Sequence, residues 1–135
     1  MPENRLIFIS ENIFRIQPED RIVGSFLYDK HKEVIAKIEG LVLEREIYLP
    51  RFLVITQGGF LDIRGKKILL PRAAYEVADL GEVKTTWSRQ SLQDAPTSHD
   101  LHNISIAEEE RIFSYFDLPP YWTTDREQEG SGNRS

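Results

Sequence analysis

Residues 1–80 carry their apolar side chains in short bursts, and each burst ends at glycine, proline or a polar cluster. Bursts rich in β-branched and aromatic residues are typical of β-strands, and no long stretch here repeats with the 3.6-residue period of a helix. Several short strands can bury their apolar faces only by forming a sandwich or a barrel. The sequence therefore predicts an all-β fold, either a sandwich or a barrel.

Residues that favour turns separate the candidate strands. Polar residues 29–32 predict the turn of a hairpin. Gly40 interrupts an alternating pattern, which predicts a β-bulge or a sharp bend. A tight hairpin is expected around Gly65, and Pro71 should close its last strand because proline cannot donate to a ladder. The predicted strands are residues 6–10, 13–16, 22–28, 35–48 (interrupted at Gly40), 52–56 and 68–70.

One helix is predicted, at about residues 105–117. Ser105 and Glu108 have the spacing of a capping box. Glu108, Glu109 and Glu110 fall in the first turn, where the helix dipole favours negative charge, so we expect solvated carboxylates there. Two prolines at residues 119–120 end the helix. Its apolar face is predicted to comprise Ile106, Ile112, Phe113 and Phe116.

The charge distribution limits the expected partners. Residues 1–80 contain 12 Lys/Arg and 12 Asp/Glu, whereas residues 81–135 contain 5 and 10, which accounts for the net charge of −5. A protein that holds nucleic acid through its phosphates usually carries an excess of Lys and Arg. Nucleic acid is therefore not the expected partner, although one weak basic patch is a candidate: Arg64, Lys66, Lys67 and Arg72.

Cysteine usage and hydropathy bear on the compartment. The chain contains no cysteine, so it has no disulfide framework, which favours a reducing compartment. No segment approaches the roughly 20 apolar residues of a membrane span, and the first residues lack the apolar core of a signal peptide. We expect a cytoplasmic protein that does not span a membrane.

None of the motifs that could carry chemistry is convincing. The glycine-rich stretch 58–67 lacks the spacing of a phosphate-binding loop. His99 and His102 have a spacing that suits a metal, but no third and fourth ligands accompany them, and solvated loop residues are the simpler interpretation. No serine is placed beside a histidine as a nucleophile. We expect no catalytic residue, no metal, no cofactor and no enzymatic activity.

Several segments, taken in order, resemble the PRC-barrel domain. They are GSFLYD (24–29), IAKIEGLVL (35–43), FLVI (52–55), GGFL (58–61) and KILLP (67–71), and the later DAP (94–96), EEE (108–110) and PPYW (119–122) are similar to the segment that often follows this domain. The resemblance implies a PRC-type β-barrel with a short helical C-terminal tail. The family includes the cytoplasmic domain of the photosynthetic reaction-centre H subunit and half of a ribosome maturation factor, so it also implies docking onto other macromolecules.

The resemblance and the composition together suggest four segments. Residues 1–17 form N-terminal strands or an extension, and residues 18–80 form the PRC-type barrel. Residues 81–122 form a C-terminal extension with the one helix. The polar residues 123–135 are expected to be disordered.

The aromatic end of the extension is the predicted interaction site. Tyr121 and Trp122 follow two prolines and suit either binding to a partner or docking of the tail onto its own barrel, together with Phe113 and Phe116. The first hypothesis is a binding or adaptor module for an unidentified protein, with self-association through exposed strand edges. The alternatives are a factor associated with RNA processing or ribosome assembly, and a barrel that binds a small ligand.

Overall fold

The computed structural model describes residues 5–56, 66–78 and 81–123. Within these ranges the chain forms nine strands and two α-helices, and residues 121–123 are helical as well. In chain order these elements are β1 Leu6–Ile9, β2 Phe26–Tyr28, β3 Val34–Lys37, β4 Gly40–Glu44, β5 Leu49–Thr56, β6 Lys67–Pro71, β7 Glu76–Val77, β8 Val83–Lys84, α1 Arg89–Gln93, β9 Thr97–Ser98 and α2 Ile106–Tyr115.

The strands form two sheets. The larger sheet has the order β1-β4-β5-β6-β9, is antiparallel throughout and curls into a half-barrel. The smaller sheet has the order β3-β2-β8-β7, in which β2 and β8 are parallel. The mainly β prediction is therefore confirmed. The all-β description is too narrow, since a second sheet and two helices give the chain mixed α/β content.

The core lies along the central strands of the half-barrel. In β4, β5 and β6 consecutive residues are buried, which explains why these strands read as continuous apolar runs and not as alternating patterns. Helix α2 covers the sheet through Phe113, whose ring centroid lies 5.4 Å from that of Phe52. Each large side chain buried in this way contributes about 1.5–3 kcal/mol.

Three of the predicted strands are wrong in whole or in part, and in the strand predicted at 35–48 residues 45–48 form the turn between β4 and β5. Residues 13–16 form a turn, in which the amide of Ile16 donates to the carbonyl of Ile13. Residues 22–25 form another turn around Gly24, whose φ of 93° is unfavourable for other residues, so the strand predicted at 22–28 is only β2. Each of these two segments places one isoleucine in the core, Ile16 and Ile22, and burial does not require strand geometry.

Of the β-bulge or sharp bend predicted at Gly40, the bulge is not there, whereas the chain does pass from the smaller to the larger sheet between β3 and Gly40. The register shift in the β4–β5 pair falls later, between Val42 and Leu43. A Cβ atom at Gly40 would lie 2.6 Å from a ring carbon of Phe8 and still closer to the carbonyl oxygen of Ile9. Only glycine lets β1 pack against the start of β4 at this distance.

Helix α2 begins as predicted, and three of the four residues predicted for its apolar face, Ile112, Phe113 and Phe116, are buried. The reciprocal hydrogen bonds between Ser105 and Glu108 form the capping box. Ile106, which was predicted to lie on the apolar face, is 41% exposed. Glu109, which was predicted to be solvated, is fully buried. The buried positions follow the spacing i, i+3, i+4, i+7 and are Glu109, Ile112, Phe113 and Phe116.

Residues of the predicted C-terminal extension complete both sheets. Strand β9 pairs with β6, and β8 pairs with β2 and β7. The predicted turn at Gly65 and the predicted disordered tail from residue 124 onward lie outside the described residues. In the part of the chain that is described, no helix is long and apolar enough to cross a bilayer.

Candidate functional site

A buried polar network joins the two ends of the described chain. The Tyr121 hydroxyl donates to Oε1 of Glu109 over 2.8 Å, and Nη1 of Arg5 donates to the Tyr121 oxygen over 2.7 Å. A second guanidinium nitrogen of Arg5 forms an ion pair with Oε2 of Glu109. The carboxylate is thus buried with a donor on each oxygen, as burial of a charge requires.

Burial dominates the electrostatics of this network. Desolvation raises the pKa of Glu109, and the hydrogen bond from Tyr121 and the charge of Arg5 oppose that rise without cancelling it. Desolvation, followed by the negative charge of Glu109, also raises the pKa of Tyr121 above its usual range. Tyr121 is therefore a neutral hydrogen-bond donor at ordinary pH, which fits a structural role for its hydroxyl.

The predicted aromatic site residues gather around α2. The ring of Phe113 lies 5.7 Å from that of Tyr121 and 5.9 Å from that of Trp122, both edge-to-face. Phe116, on the same buried face of α2, contacts a different aromatic residue, because its ring lies 4.9 Å from that of Trp87. The Tyr121–Trp122 segment thus lies on the half-barrel of its own chain.

Arginines contact both rings of the aromatic segment. The guanidinium of Arg51 lies 4.1 Å from the ring centroid of Tyr121, and that of Arg5 lies 5.8 Å from the ring centroid of Trp122. Arg51 is held by Glu44, whose Oε1 accepts from Nε over 2.7 Å. Cation–π contacts of this kind stabilise by about 0.5–2 kcal/mol, depending on how far they are desolvated.

A groove of about 480 Å³ opens beside Tyr121. One wall is the 3₁₀ turn Arg72–Ala74 that follows β6, and the other is the segment after α2. Both of its charged lining residues are arginines. The lining residues are Arg51, Arg72, Ala73, Phe113, Leu118, Pro119 and Tyr121.

A second concavity, of about 530 Å³, adjoins the groove. The two share the lining residues Ala73 and Leu118, so they are neighbours, and together we call them the tail groove. The second part is lined by Tyr75 and Trp87 and by lysines on a loop and a strand, Lys30, Lys32 and Lys84.

The predicted basic patch is not brought together in the residues described. Lys67 donates to Oε1 of Glu39 over 2.6 Å at the start of β6. Arg72 follows the end of that strand, about 16 Å away at 3.3 Å per residue, and lies 3.8 Å from a carboxylate oxygen of Asp20. Lys66 is exposed next to Lys67, and Arg64 lies outside the described residues.

The two histidines of the C-terminal loop do not share a ligand site. His99 and His102 are both exposed, and the ring of His102 packs edge-to-face on Phe8 at 5.7 Å. Among residues 5–56, 66–78 and 81–123, no group of three or more His, Asp or Glu side chains could hold a metal ion.

Sequence reasoning missed Arg5, Arg51 and Glu109 as members of the site. The sequence pattern could have predicted the burial of Glu109, because this residue lies at helical spacing from Phe113 and Phe116 on the face that packs inward. Arg5 and Arg51 carried none, since they come from segments distant in the chain and meet α2 only in the folded molecule.

No protein-family model matches this chain, and a search of curated proteins finds no similar sequence.

Proposed function

We propose that this chain is a PRC-type barrel module that binds another protein and catalyses no reaction. Its cytoplasmic location and its membership of the PRC-barrel family are parts of the same proposal. The curled half-barrel, followed by a helix and a Pro-Pro-Tyr-Trp segment, supports it, because this order of elements accords with the resemblance seen in the sequence.

The tail groove is the observation on which the proposal rests. It is a concave surface lined by aromatic, aliphatic and charged residues, which is the usual composition of a binding site. Arg51 and Tyr121, two residue types favoured at interface hot spots, line it. The Tyr121 side chain is held in place by the Glu109 network, so this part of the surface is organised before a partner arrives.

The alternative of an RNA-associated factor has less support. An RNA-associated role would require one basic cluster, formed by Arg64, Lys66, Lys67 and Arg72. In the structure Lys67 and Arg72 lie at opposite ends of β6, and each lies beside a carboxylate. Cationic side chains already paired with carboxylates contribute less to phosphate binding, because the pair must be broken first.

A pull-down with matched variants tests the proposal. Ala73→Glu puts a larger, charged side chain on an exposed residue shared by both parts of the tail groove, and Ala107→Glu makes the same change at an exposed position of α2 outside it. Wild type and both variants are immobilised and incubated with host extract, with and without nuclease treatment, and their bound proteins are quantified by mass spectrometry.

We expect at least one protein to be retained by wild type and by Ala107→Glu and lost with Ala73→Glu. Circular dichroism and thermal unfolding of the variants check that the loss is not caused by unfolding. Retention that disappears when nuclease is added would overturn the proposal in favour of RNA association. Retention of no protein by any of the three would overturn it as well.

A further inference from the structure

We propose that the chain pairs with a second copy of itself through one end of the half-barrel, the end at which the turn between β4 and β5 lies. This inference goes beyond the proposed function and does not depend on the tail groove. It follows from the apolar side chains exposed at that end and from charges there that are unpaired among the described residues.

Two segments meet at this end of the molecule. Residues 45–48 connect the end of β4 to the start of β5, so they lie at one end of the larger sheet. The segment after β1 reaches the same end, because the guanidinium of Arg15 lies 4.9 Å from the ring centroid of Tyr48. We call the surface formed by residues 14–21 and 45–49 the turn face.

Three large apolar side chains of the turn face are exposed. Phe14 is 92% exposed, Ile47 is 60% exposed and Leu49 is 40% exposed. They are three of the six large apolar residues that are exposed in the described ranges, so these residues are concentrated on one surface. Single exposed apolar residues are common, whereas a group of them marks a surface that another molecule covers.

The charged groups of the turn face balance in number. Residues 14–21 and 45–49 contain three arginines and three carboxylates, so the face has no net charge. Within the residues that the structure describes, four of these groups take part in no ion pair, namely Arg15, Arg21, Glu19 and Glu46. The face therefore presents free charges of both signs around its apolar side chains.

A surface without net charge does not suit a partner covered with phosphates. Nucleic acids and anionic bilayers attract surfaces on which Lys and Arg are in excess, and the turn face has no such excess. A second copy suits it better, because a two-fold axis sets the same surface against itself. Each free arginine can then meet a carboxylate of the other copy, and each free carboxylate an arginine.

The contact between Arg15 and Tyr48 fixes where the axis passes. An axis beside this contact places residues 14–21 of one copy on residues 45–49 of the other. Phe14 then packs against Ile47 of the other copy, and Arg15 lies opposite its Glu46. Symmetry repeats both contacts, so the two apolar segments cover each other.

Sedimentation equilibrium of the full chain over a range of concentrations measures the pairing. We expect the mass of one chain at about 1 μM and the mass of two chains at about 1 mM, as a small interface supplies. At micromolar concentration the copies are separate, so substitutions of exposed residues in the turn face leave the unfolding free energy unchanged there.

A matched pair of variants assigns the pairing to the turn face. Ile47→Glu puts a charge among the apolar side chains that the second copy covers, and it should raise the dissociation constant at least about tenfold. Ile106→Glu makes the same change at an exposed residue of α2 and should leave the dissociation constant unchanged. Circular dichroism checks that both variants are folded.

Exchange of charges tests the two-fold arrangement without removing apolar surface. Arg15→Glu alone and Glu46→Arg alone each set like charges opposite one another, so each should raise the dissociation constant about fivefold. An equimolar mixture of the two variants restores opposite charges at both contacts. The mixture should therefore pair as tightly as wild type, which keeps the proposal testable if Ile47→Glu is unstable.

The mass of one chain for wild type at 1 mM would overturn this inference. Equal dissociation constants for Ile47→Glu and Ile106→Glu would overturn it in favour of another surface, such as a strand edge, and so would a mixture that pairs no better than either charge variant alone. Binding of wild type, but not of Ile47→Glu, to vesicles of phosphatidylcholine and phosphatidylserine would overturn it in favour of a lipid surface. None of these results bears on the Ala73-dependent capture of a protein, so the two proposals fail separately.

Discussion

Glu109 is a carboxylate without solvent access at the centre of the contact between α2 and the ends of the chain. Leaving it unpaired would cost several kcal/mol, and Arg5 and Tyr121 together supply its donors. Pairing makes the burial tolerable and does not make it favourable, since the pKa of Glu109 stays raised by desolvation.

The sign of the pH dependence follows from that raised pKa. In the unfolded chain the pKa of Glu109 is near the ordinary value of 4.5. The folded state therefore binds the Glu109 proton more tightly than the unfolded chain does. As the pH rises from about 4.5 to the folded pKa, ionisation stabilises the unfolded chain more than the folded one. The unfolding free energy of wild type should therefore fall relative to Glu109→Gln across this window and stay level above it.

Urea unfolding between pH 4 and pH 8 measures this difference. Glu110→Gln, which removes an exposed carboxylate from the same helix, controls for the general loss of a charge. If the stability of wild type instead rises with pH relative to Glu109→Gln, the ion pair with Arg5 outweighs burial and the pKa of Glu109 is lowered rather than raised.

Among the secondary-structure elements, the contact between β1 and β4 depends on one missing side chain. Gly40→Ala places a Cβ atom 2.6 Å from the Phe8 ring and close to the backbone of Ile9, so β1 must shift. We expect a loss of about 1–3 kcal/mol in unfolding free energy, as overpacking of a core usually costs.

Gly24→Ala is the matched comparison for Gly40→Ala. Gly24 has a positive φ of 93° and no atom within 4 Å of an added Cβ, so alanine there meets a backbone cost without a clash. Denaturant unfolding gives the stability of each variant, and amide hydrogen exchange should be faster at Phe8 and Ile9 in Gly40→Ala alone, because only there is β1 disturbed. Equal amide exchange rates at Phe8 and Ile9 in both variants would contradict the close approach of β1 to Gly40.

Helix α2 illustrates how far element prediction goes. Its start at Ser105 and its stop before Pro119 follow from local chemistry, namely a capping box and a residue that cannot continue a helix. Which side faces inward depends on the sheet beneath it, and that sheet accepts Glu109 because Arg5 and Tyr121 meet it there.

In the molecule as a whole, the C-terminal segment is part of the fold. Trp122 packs on Phe113 and Tyr121 of its own chain and lies under the guanidinium of Arg5. Trp122→Ala should therefore lower the unfolding free energy by about 1–3 kcal/mol and leave the molecular mass in solution unchanged.

Phe14→Ala controls for the loss of an aromatic residue, because Phe14 is 92% exposed and should change stability by less than about 0.5 kcal/mol. Denaturant unfolding and light scattering on the same samples give both quantities. A fall in mass with unchanged stability would show that Trp122 joins subunits, which is the other interpretation that the sequence leaves open.

Local sequence was sufficient to predict the mainly β class, the polar turn after Tyr28, the last residue of β6 and the capped start of α2. Each of these depends on side-chain type over a few neighbouring residues, so no distant contact is needed. The division into two sheets, the burial of Glu109 and the tail groove were not predictable in this way. These features join residues far apart in the chain, such as Arg5 with Glu109 and Ala73 with Leu118, and a pairing between distant segments depends on the whole packed core rather than on any local pattern.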